Sequence, residues 1–238
     1  MRRAILYLLI MITSLCAETL VWNIANDFRI APEGENPNRD QYGNAGVWKF
    51  LYDTDISRDG SYTAFPYFND NPGDLGASSA DGWSVSSGSP VPTIFKATGT
   101  SNPYGIPLEV GKIYMHPGNP ALAVLGWQAP VSFLGQIHIS GTFASVHGGG
   151  VAWYIDKGTS SLTSGAVSNY SSQNFSLDTL VNQGDILYFI VDPNGPYYAD
   201  TTRLDLVITG EVGAVPEPST FLLVVCFAVV LHLLIRSK

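Results

Sequence analysis

Apolar and polar residues alternate with a period of two through much of the chain, the mark of strands that bury one face. Over 203–209, Leu204, Leu206 and Ile208 alternate with Arg203, Asp205 and mostly polar neighbours. Over 136–143, Ile137, Ile139 and Phe143 alternate with His138, Ser140 and Thr142, and over 151–156 Val151, Trp153 and Ile155 share a face. The stretch 185–191 is apolar on both faces and predicts a central strand. Further strands are predicted at 20–24, 47–52, 62–65, 111–115, 121–127 and 175–181. Turn sequences separate them, among them Asn119-Pro120, Gly148-Gly149-Gly150, Asn182-Gln183-Gly184-Asp185 and Asp192-Pro193-Asn194-Gly195-Pro196. Between the chain ends no stretch keeps a 3.6-residue period. The expectation is all-β: an antiparallel β-sandwich of jelly-roll type, with a barrel as the alternative. Residues 69–107 are rich in Asn, Gly, Ser, Pro and Asp and read as a long loop region around short strands near 82–85 and 93–96.

The two ends break this pattern. Met1-Arg2-Arg3, an apolar run from Ala4 to Ile12, and small residues up to Ala17 describe a signal peptide over 1–17, cleaved by signal peptidase after Ala17. Cys16 follows Leu15, which is too bulky for a lipoprotein cleavage site. At the other end, 219–235 form an apolar segment closed by Arg236-Ser237-Lys238. Its length approaches the roughly 17 residues of a short transmembrane helix, and the terminal cations favour the cytoplasmic side.

Composition sharpens this division. Of 238 residues, 18–214 form the working domain, with eight Lys and Arg against nineteen Asp and Glu, a net charge of −11. That balance disfavours a nucleic-acid partner. Both cysteines, Cys16 and Cys226, lie in the end segments, so packing rather than disulfides must hold the domain.

Immediately before the apolar tail stands Val215-Pro216-Glu217-Pro218. Pro-Glu-Pro, then an apolar span, then a basic end at Arg236, resembles the PEP-CTERM sorting signal of Gram-negative bacteria, here over 215–238. The resemblance implies an exosortase partner, transient membrane anchoring through the tail, and delivery to the cell surface or an extracellular matrix rich in exopolysaccharide. The prolines favour an extended chain, the form a protease cleft grips. A proline-rich linker before a simple tail anchor is the alternative. Over 115–209, the order Met115-His116-Pro117-Gly118, Val124-Leu125-Gly126-Trp127, Gly148-Gly149-Gly150, Gly184-Asp185 and Asp200-Thr201-Thr202 resembles a β-sandwich module of bacterial exported proteins. Such modules look like carbohydrate-binding jelly rolls, which implies a polysaccharide partner.

The residues offer little catalytic chemistry. There is no Gly-x-Ser-x-Gly elbow, and His116, His138 and His147 have no metal-ligand spacing, although His138 and His147 would meet if they faced across a hairpin. Glu33 and Glu35 lie in a proline-rich polar stretch and read as loop residues. Asp53, Asp55 and Asp59 place oxygens at alternate positions, but Arg58 and Ala64 stand where an EF-hand needs Gly and Glu. They form either a calcium loop or an Asp-rich turn. Tyr67, Trp83, Tyr104, Tyr197 and Tyr198 fall near loop signals and are the candidate platforms for sugar rings, with core packing the alternative. Trp48, Trp127 and Trp153 lie within alternating strands and are expected in the core. The sequence therefore predicts a non-catalytic exported domain that binds glycan, against a polysaccharide-active enzyme or a purely structural surface protein. Replacing Pro216, Glu217 and Pro218 by alanine is expected to leave a longer, membrane-retained product. An unchanged mature mass and location would contradict the sorting reading.

Overall fold

The computed structural model describes residues 17–28, 35–69, 80–87, 89–100 and 105–213. The signal segment up to residue 16, the tail with Val215, Pro216, Glu217, Pro218 and Arg236, and Tyr104, Glu33, Asp70 and Asp74 lie outside them. Among the described residues no helix is long and apolar enough to cross a membrane.

Fourteen strands and one helical turn follow in order. They are β1 (Glu18–Asn23), α1 (Ile24–Asp27), β2 (Trp48–Asp53), β3 (Thr63–Ala64), β4 (Tyr67–Asn69), β5 (Ala80–Ser86) and β6 (Ser89–Ala97). Then come β7 (Ile113–His116), β8 (Leu122–Gln128), β9 (Gln136–Ser145), β10 (Val151–Lys157), β11 (Ser160–Val167), β12 (Ser172–Leu180), β13 (Ile186–Asp192) and β14 (Thr202–Val212). One sheet runs β12-β9-β14-β7-β6-β5-β4, with β1 also on β14; the other runs β11-β10-β13-β8-β2-β3.

The last eight strands alone make two sheets, β12-β9-β14-β7 and β11-β10-β13-β8, between which the chain repeatedly crosses. That connectivity is a jelly roll. The earlier strands extend it: β6, β5 and β4 continue one sheet beyond β7, and β2 and β3 continue the other beyond β8. The alternation read along 203–209 is realised in β14, where Leu204, Leu206 and Ile208 enter the core and Arg203, Asp205 and Val207 face out. β13 lies between β10 and β8, and both its faces are covered, as its uninterrupted apolar run requires.

The layer between the sheets is aromatic. Trp22, Trp48, Trp127, Trp153, Phe50, Phe143 and Phe189 are all fully buried there. Phe143 stacks on Trp153 at 4.9 Å between centroids, and Trp22 meets Trp127 edge-on at 5.3 Å. Such pairs add about 1 kcal/mol each beyond area burial.

Trp83 belongs to this layer too. It lies 4% exposed on β5, stacked on Phe50 at 5.8 Å and edge-on to Phe68 at 5.2 Å. Its ring has no face left for a sugar, which corrects the expectation that placed it among the loop platforms. The short strands expected near 82–85 and 93–96 are present and longer, as β5 and β6, joined residue by residue from Ala80 and Ala97 to Trp83 and Ile94.

Two buried carboxylates tie the N-terminal segment together where it enters the core. Asp27 accepts the Trp48 indole N–H at 2.9 Å, and Asp40 accepts that of Trp22 at 2.8 Å. Asp40 also accepts the backbone N–H groups of Tyr42 and Asn44 and the Asn44 amide, so four donors converge on one fully buried side chain. Removing a partner from such a centre leaves buried donors without an acceptor. Asp40→Ala is expected to lower the unfolding free energy by about 3 kcal/mol in a urea titration. A loss below about 1 kcal/mol would contradict this role.

Candidate functional site

Both outer faces of the sandwich are partly covered by their own loops. Residues 54–62 cross the β10, β13, β8 and β2 side as a strap. Within it the Arg58 guanidinium lies 3.6 Å over the Tyr154 ring and 3.7 Å from the buried Asp156 carboxylate. Tyr62 packs edge-on against Tyr188 at 4.7 Å. Burial, and then Asp156, raise the Tyr62 hydroxyl's pKa.

Asp53, Asp55 and Asp59 are the turn-formers of this strap. Their carboxylates accept the N–H groups of Asp55, Ser57 and Ser61 at 3.1, 2.8 and 2.8 Å. Burial raises the Asp53 carboxyl's pKa, helped by the charges of Asp55 and Asp59, whereas hydrogen bonds from Ser57 lower that of Asp55. Among the described residues no group of three or more His, Cys, Asp or Glu is placed to hold a metal ion. With these hydrogen bonds the three carboxylates hold an Asp-rich turn.

On the opposite face, residues 105–111 lie over β5, β6 and β7. Ile106 and Leu108 join Phe95 and Tyr114 in a second apolar cluster, and the Glu109 N–H donates to the Tyr114 hydroxyl at 2.7 Å. The Glu109 carboxylate is held by Arg203, which also pairs with Asp205 at 3.2 Å; Lys112 pairs with the same Asp205 at 2.8 Å. Glu35 is paired with Arg39 at 3.3 Å. These carboxylates are bound to cations rather than set opposite one another.

The loops at one end of the roll, those following β7, β9, β11 and β13, bring together most of the remaining chemistry. Tyr197 and Tyr198 stand on the β13 to β14 loop with ring centroids 4.5 Å apart, and Tyr198 is 71% exposed. His116, at the end of β7, lies 6.4 Å from the Tyr197 ring. Its Nδ1 is 2.7 Å from the Pro117 carbonyl oxygen, and burial with neighbouring His147 pushes its pKa down to about 4. At neutral pH it is therefore uncharged, and Nδ1–H donates to that carbonyl. Burial lowers the pKa of His147 as well, whose Nδ1 sits 3.5 Å from the Thr201 hydroxyl.

The glycine turn 148–150 is the hinge of this end. A Cβ on Gly148 would lie 3.2 Å from the Tyr170 ring, and one on Gly149 would overlap the Asp200 carboxylate and the Ala199 carbonyl. Only glycine lets the turn fit between these two loops. Tyr170, exposed and absent from the sequence-based candidates, is thereby set beside the loop of Tyr197 and Tyr198. No pattern in the sequence marks it, because the contact exists only through the turn.

The other candidates lie elsewhere. Tyr67 is exposed on β4, at the far edge of the sheet, in register with Ser84, Thr93 and His116 across β5, β6 and β7. That separation is about 14 Å at ordinary strand spacing. His138 is a solvated sheet residue, 2.8 Å from Asp178. Seven residues of β9, roughly 23 Å, separate it from the strand end beyond which His147 lies, so the two do not form a pair.

Asp200 lies beneath the turn, 2% exposed, with neither carboxylate oxygen well hydrogen-bonded. Burial raises its pKa to about 7, and the Gly150 amide offsets only part of that cost. Between about pH 4 and 7 the unfolded chain carries Asp200 ionised while the folded one keeps it protonated. Stability conferred at this residue therefore falls as pH rises through that window and stays low above it. Asp200→Asn is expected to flatten the decline and to stabilise the protein at pH 8 by about 2 kcal/mol, read from thermal unfolding across pH. A parallel pH dependence in the variant would contradict it.

No protein-family model matches the chain, and no curated protein matches it. Among solved structures the chain is similar to the CBM36-1 domain of a multidomain xylanase from the hindgut metagenome of Trinervitermes trinervoides, at 11% identity over 42% of this chain and 78% of that one, TM-score 0.29. It is similar to the carbohydrate-binding module CBM36 in complex with calcium and xylotriose, at 12% identity over 40% and 76%, TM-score 0.27. It is also similar to the C-terminal CBM6 of LamC, a marine laminarinase from Zobellia galactanivorans, at 12% identity over 61% and 92%, TM-score 0.25. At these TM-scores the likenesses carry no weight for what this chain does.

Proposed function

We propose that the domain is a non-catalytic, glycan-binding module of an exported protein, and that it binds through the loop end that carries Tyr197 and Tyr198. The observation that carries this reading is the tyrosine pair itself: two adjacent rings, one of them largely exposed, on a loop anchored between two long core strands. An aromatic face covers the apolar face of a pyranose ring, while nearby hydroxyls and amides take its equatorial groups. Aromatic side chains supply that area with little loss of conformational freedom. Neutral His116 lies against Tyr197, and the exposed Tyr170 packs on the glycine turn at Gly148.

Binding is favoured over hydrolysis because Glu35, Glu109 and Asp205 are neutralised by cations and Asp200 is shut beneath the glycine turn. A hydrolase needs two carboxyl groups facing one scissile bond.

The tail reading fits the same polarity. Glu18 pairs with Val212, so the described domain begins and ends together, at the opposite end of β14 from Thr202 and the tyrosine loop. A chain directed by its Pro216-Glu217-Pro218 signal and held through that end would present the tyrosines outward, to an extracellular polysaccharide.

Affinity electrophoresis of the full-length chain through gels containing xylan, cellulose derivatives, β-glucans or the producing cell's own exopolysaccharide tests this. At least one polymer is expected to retard it, and Tyr198→Ala to weaken the retardation by about tenfold, on the scale of losing a stacked anchor. Retardation unchanged in Tyr197→Ala and Tyr198→Ala would overturn the site. Release of reducing ends from a bound polymer would replace the binding reading with an enzymatic one.

A further inference from the structure

The strap over the β10, β13, β8 and β2 side is a poor match for what lies beneath it. The sheet there presents a buried apolar cluster of Leu51, Leu122, Val124, Tyr188 and Ile190, with Tyr62 and Tyr154 packed against it. Over this the chain lays Thr54, Asp55, Ile56, Ser57, Asp59 and Ser61, all exposed. The hydrogen bonds that the Asp53, Asp55 and Asp59 carboxylates accept run along the strap, not down to the sheet. Two side chains grip the sheet. Tyr62 packs edge-on to Tyr188, and the Arg58 guanidinium lies on the face of Tyr154. Arg58 does so at φ +50°, a left-handed conformation uncommon outside glycine.

That contact is incomplete. Asp156, directly across from Tyr188 and two residues from Tyr154, is 1% exposed. Its Oδ2 lies 3.7 Å from the Arg58 Nε, an ion pair beyond hydrogen-bond reach, and its Oδ1 has no hydrogen-bond partner among the described residues. The Arg58 Nη1 and the Tyr62 hydroxyl, also buried, have none either. A carboxylate, a guanidinium and a phenol thus share one covered site without satisfying one another. The desolvation of each is left uncompensated, which weakens the closed strap.

These groups specify what can take the place of Arg58. Lifting the strap leaves Asp156 in the sheet without a counter-ion, so the guest must bring a positive charge. It must lie flat on Tyr154, as the guanidinium does. It must also reach the Asp156 Oδ1 and the Tyr62 hydroxyl, which the guanidinium in place does not satisfy. An arginine from a partner protein therefore gains nothing over Arg58. A pyranose with an ammonium at its rim meets all three conditions. Its apolar face covers the tyrosine, the ammonium donates to the carboxylate, and a neighbouring hydroxyl meets the phenol. The domain's excess of acids, nineteen against eight Lys and Arg, attracts a chain of such sugars.

We propose that residues 54–61 are a self-inhibiting strap, and that beneath it Tyr154, Asp156, Tyr188 and Tyr62 form a second saccharide subsite that takes a cationic amino sugar in the place of Arg58. Tyr62 stays behind when the strap lifts, because the next residues, Thr63 and Ala64, are paired to β2 as β3. The subsite shares no residue with the tyrosine pair of the loop end and does not depend on it.

The test is a ¹⁵N-resolved titration of the full-length chain, in a zwitterionic detergent and mildly acidic buffer. It follows the Arg58 Nε–H signal, which the Tyr154 ring current displaces while the strap is closed and which Arg58→Lys identifies by its loss. The probes are a β-1,4-linked glucosamine tetramer, its fully N-acetylated counterpart and tetra-arginine. The glucosamine tetramer is expected to move the signal saturably to the position of a free arginine, and the other two to leave it in place. By titration calorimetry Arg58→Ala is expected to bind the glucosamine tetramer about tenfold more tightly, because no strap has to be displaced. Tyr154→Ala in that background should cancel the gain, and Tyr198→Ala should change neither measurement. The wild-type signal decides the matter even where a variant fails to fold. An Arg58 signal unmoved at saturation would mean that the acidic surface alone holds the polycation, and would overturn the proposal. Equal displacement by the N-acetylated tetramer would remove the need for charge, and displacement by tetra-arginine would make the guest a peptide; either overturns it. Binding that disappears in Tyr198→Ala would assign the sugar to the loop end instead. Polymer retardation that ignores Tyr198 would leave the strap proposal standing, so the two sites fail independently.

Discussion

Two sheets closed on each other without a disulfide depend on the layer between them, and here that layer is built around four fully buried tryptophans, Trp22, Trp48, Trp127 and Trp153. Trp127 and Trp153 come from the roll; Trp22 and Trp48 come from the segment before it. The second pair bring polar N–H groups into an apolar space, and Asp40 and Asp27 accept them. The N-terminal strands are thus part of the same core as the roll, not an appended layer. Asp40 is held in turn by its own loop, so the polar centre is satisfied on every side. A buried polar group of this kind specifies one arrangement because every alternative leaves it unpaired.

The same economy of surface determines where a ligand can reach. One outer face lies under the strap with Arg58, the other is covered over β5, β6 and β7 by 105–111. Among the described residues, the polar face of β12, β9 and β14 and the loop ends stay open. Of these, the tyrosine loop offers large exposed aromatic area. Loops on a rigid frame are where binding chemistry commonly resides.

Much of the frame was legible in the sequence. Strong alternation at 136–143, 151–156 and 203–209 placed β9, β10 and β14, and the doubly apolar 185–191 placed β13 at the centre of its sheet. β11 was missed because Ser160–Val167 is mostly Ser, Thr, Gly and Ala, with only Leu162 and Val167 as larger apolar residues and little alternation, as suits an edge strand with a half-solvated face. Short strands near 82–85 and 93–96 marked the middles of β5 and β6, but a composition of Gly, Ser and Pro hid their full length, and with it the burial of Trp83, whose partners Phe50 and Phe68 are distant in sequence. Tyr197 and Tyr198 could be singled out from loop signals alone. Tyr170 could not, because only its packing against Gly148 brings it to that end.

The account turns on a polarity. The domain's two ends meet at one pole of β14, roughly 35 Å along the strand from the pole that bears Tyr197 and Tyr198. Hydrogen–deuterium exchange of the full-length chain with and without a retarding polysaccharide tests this directly. Protection is predicted in 146–150, 168–171 and 193–201, three of the four loops of the tyrosine pole. Protection confined to 129–135 and 181–185, at the pole where the ends meet, would contradict it.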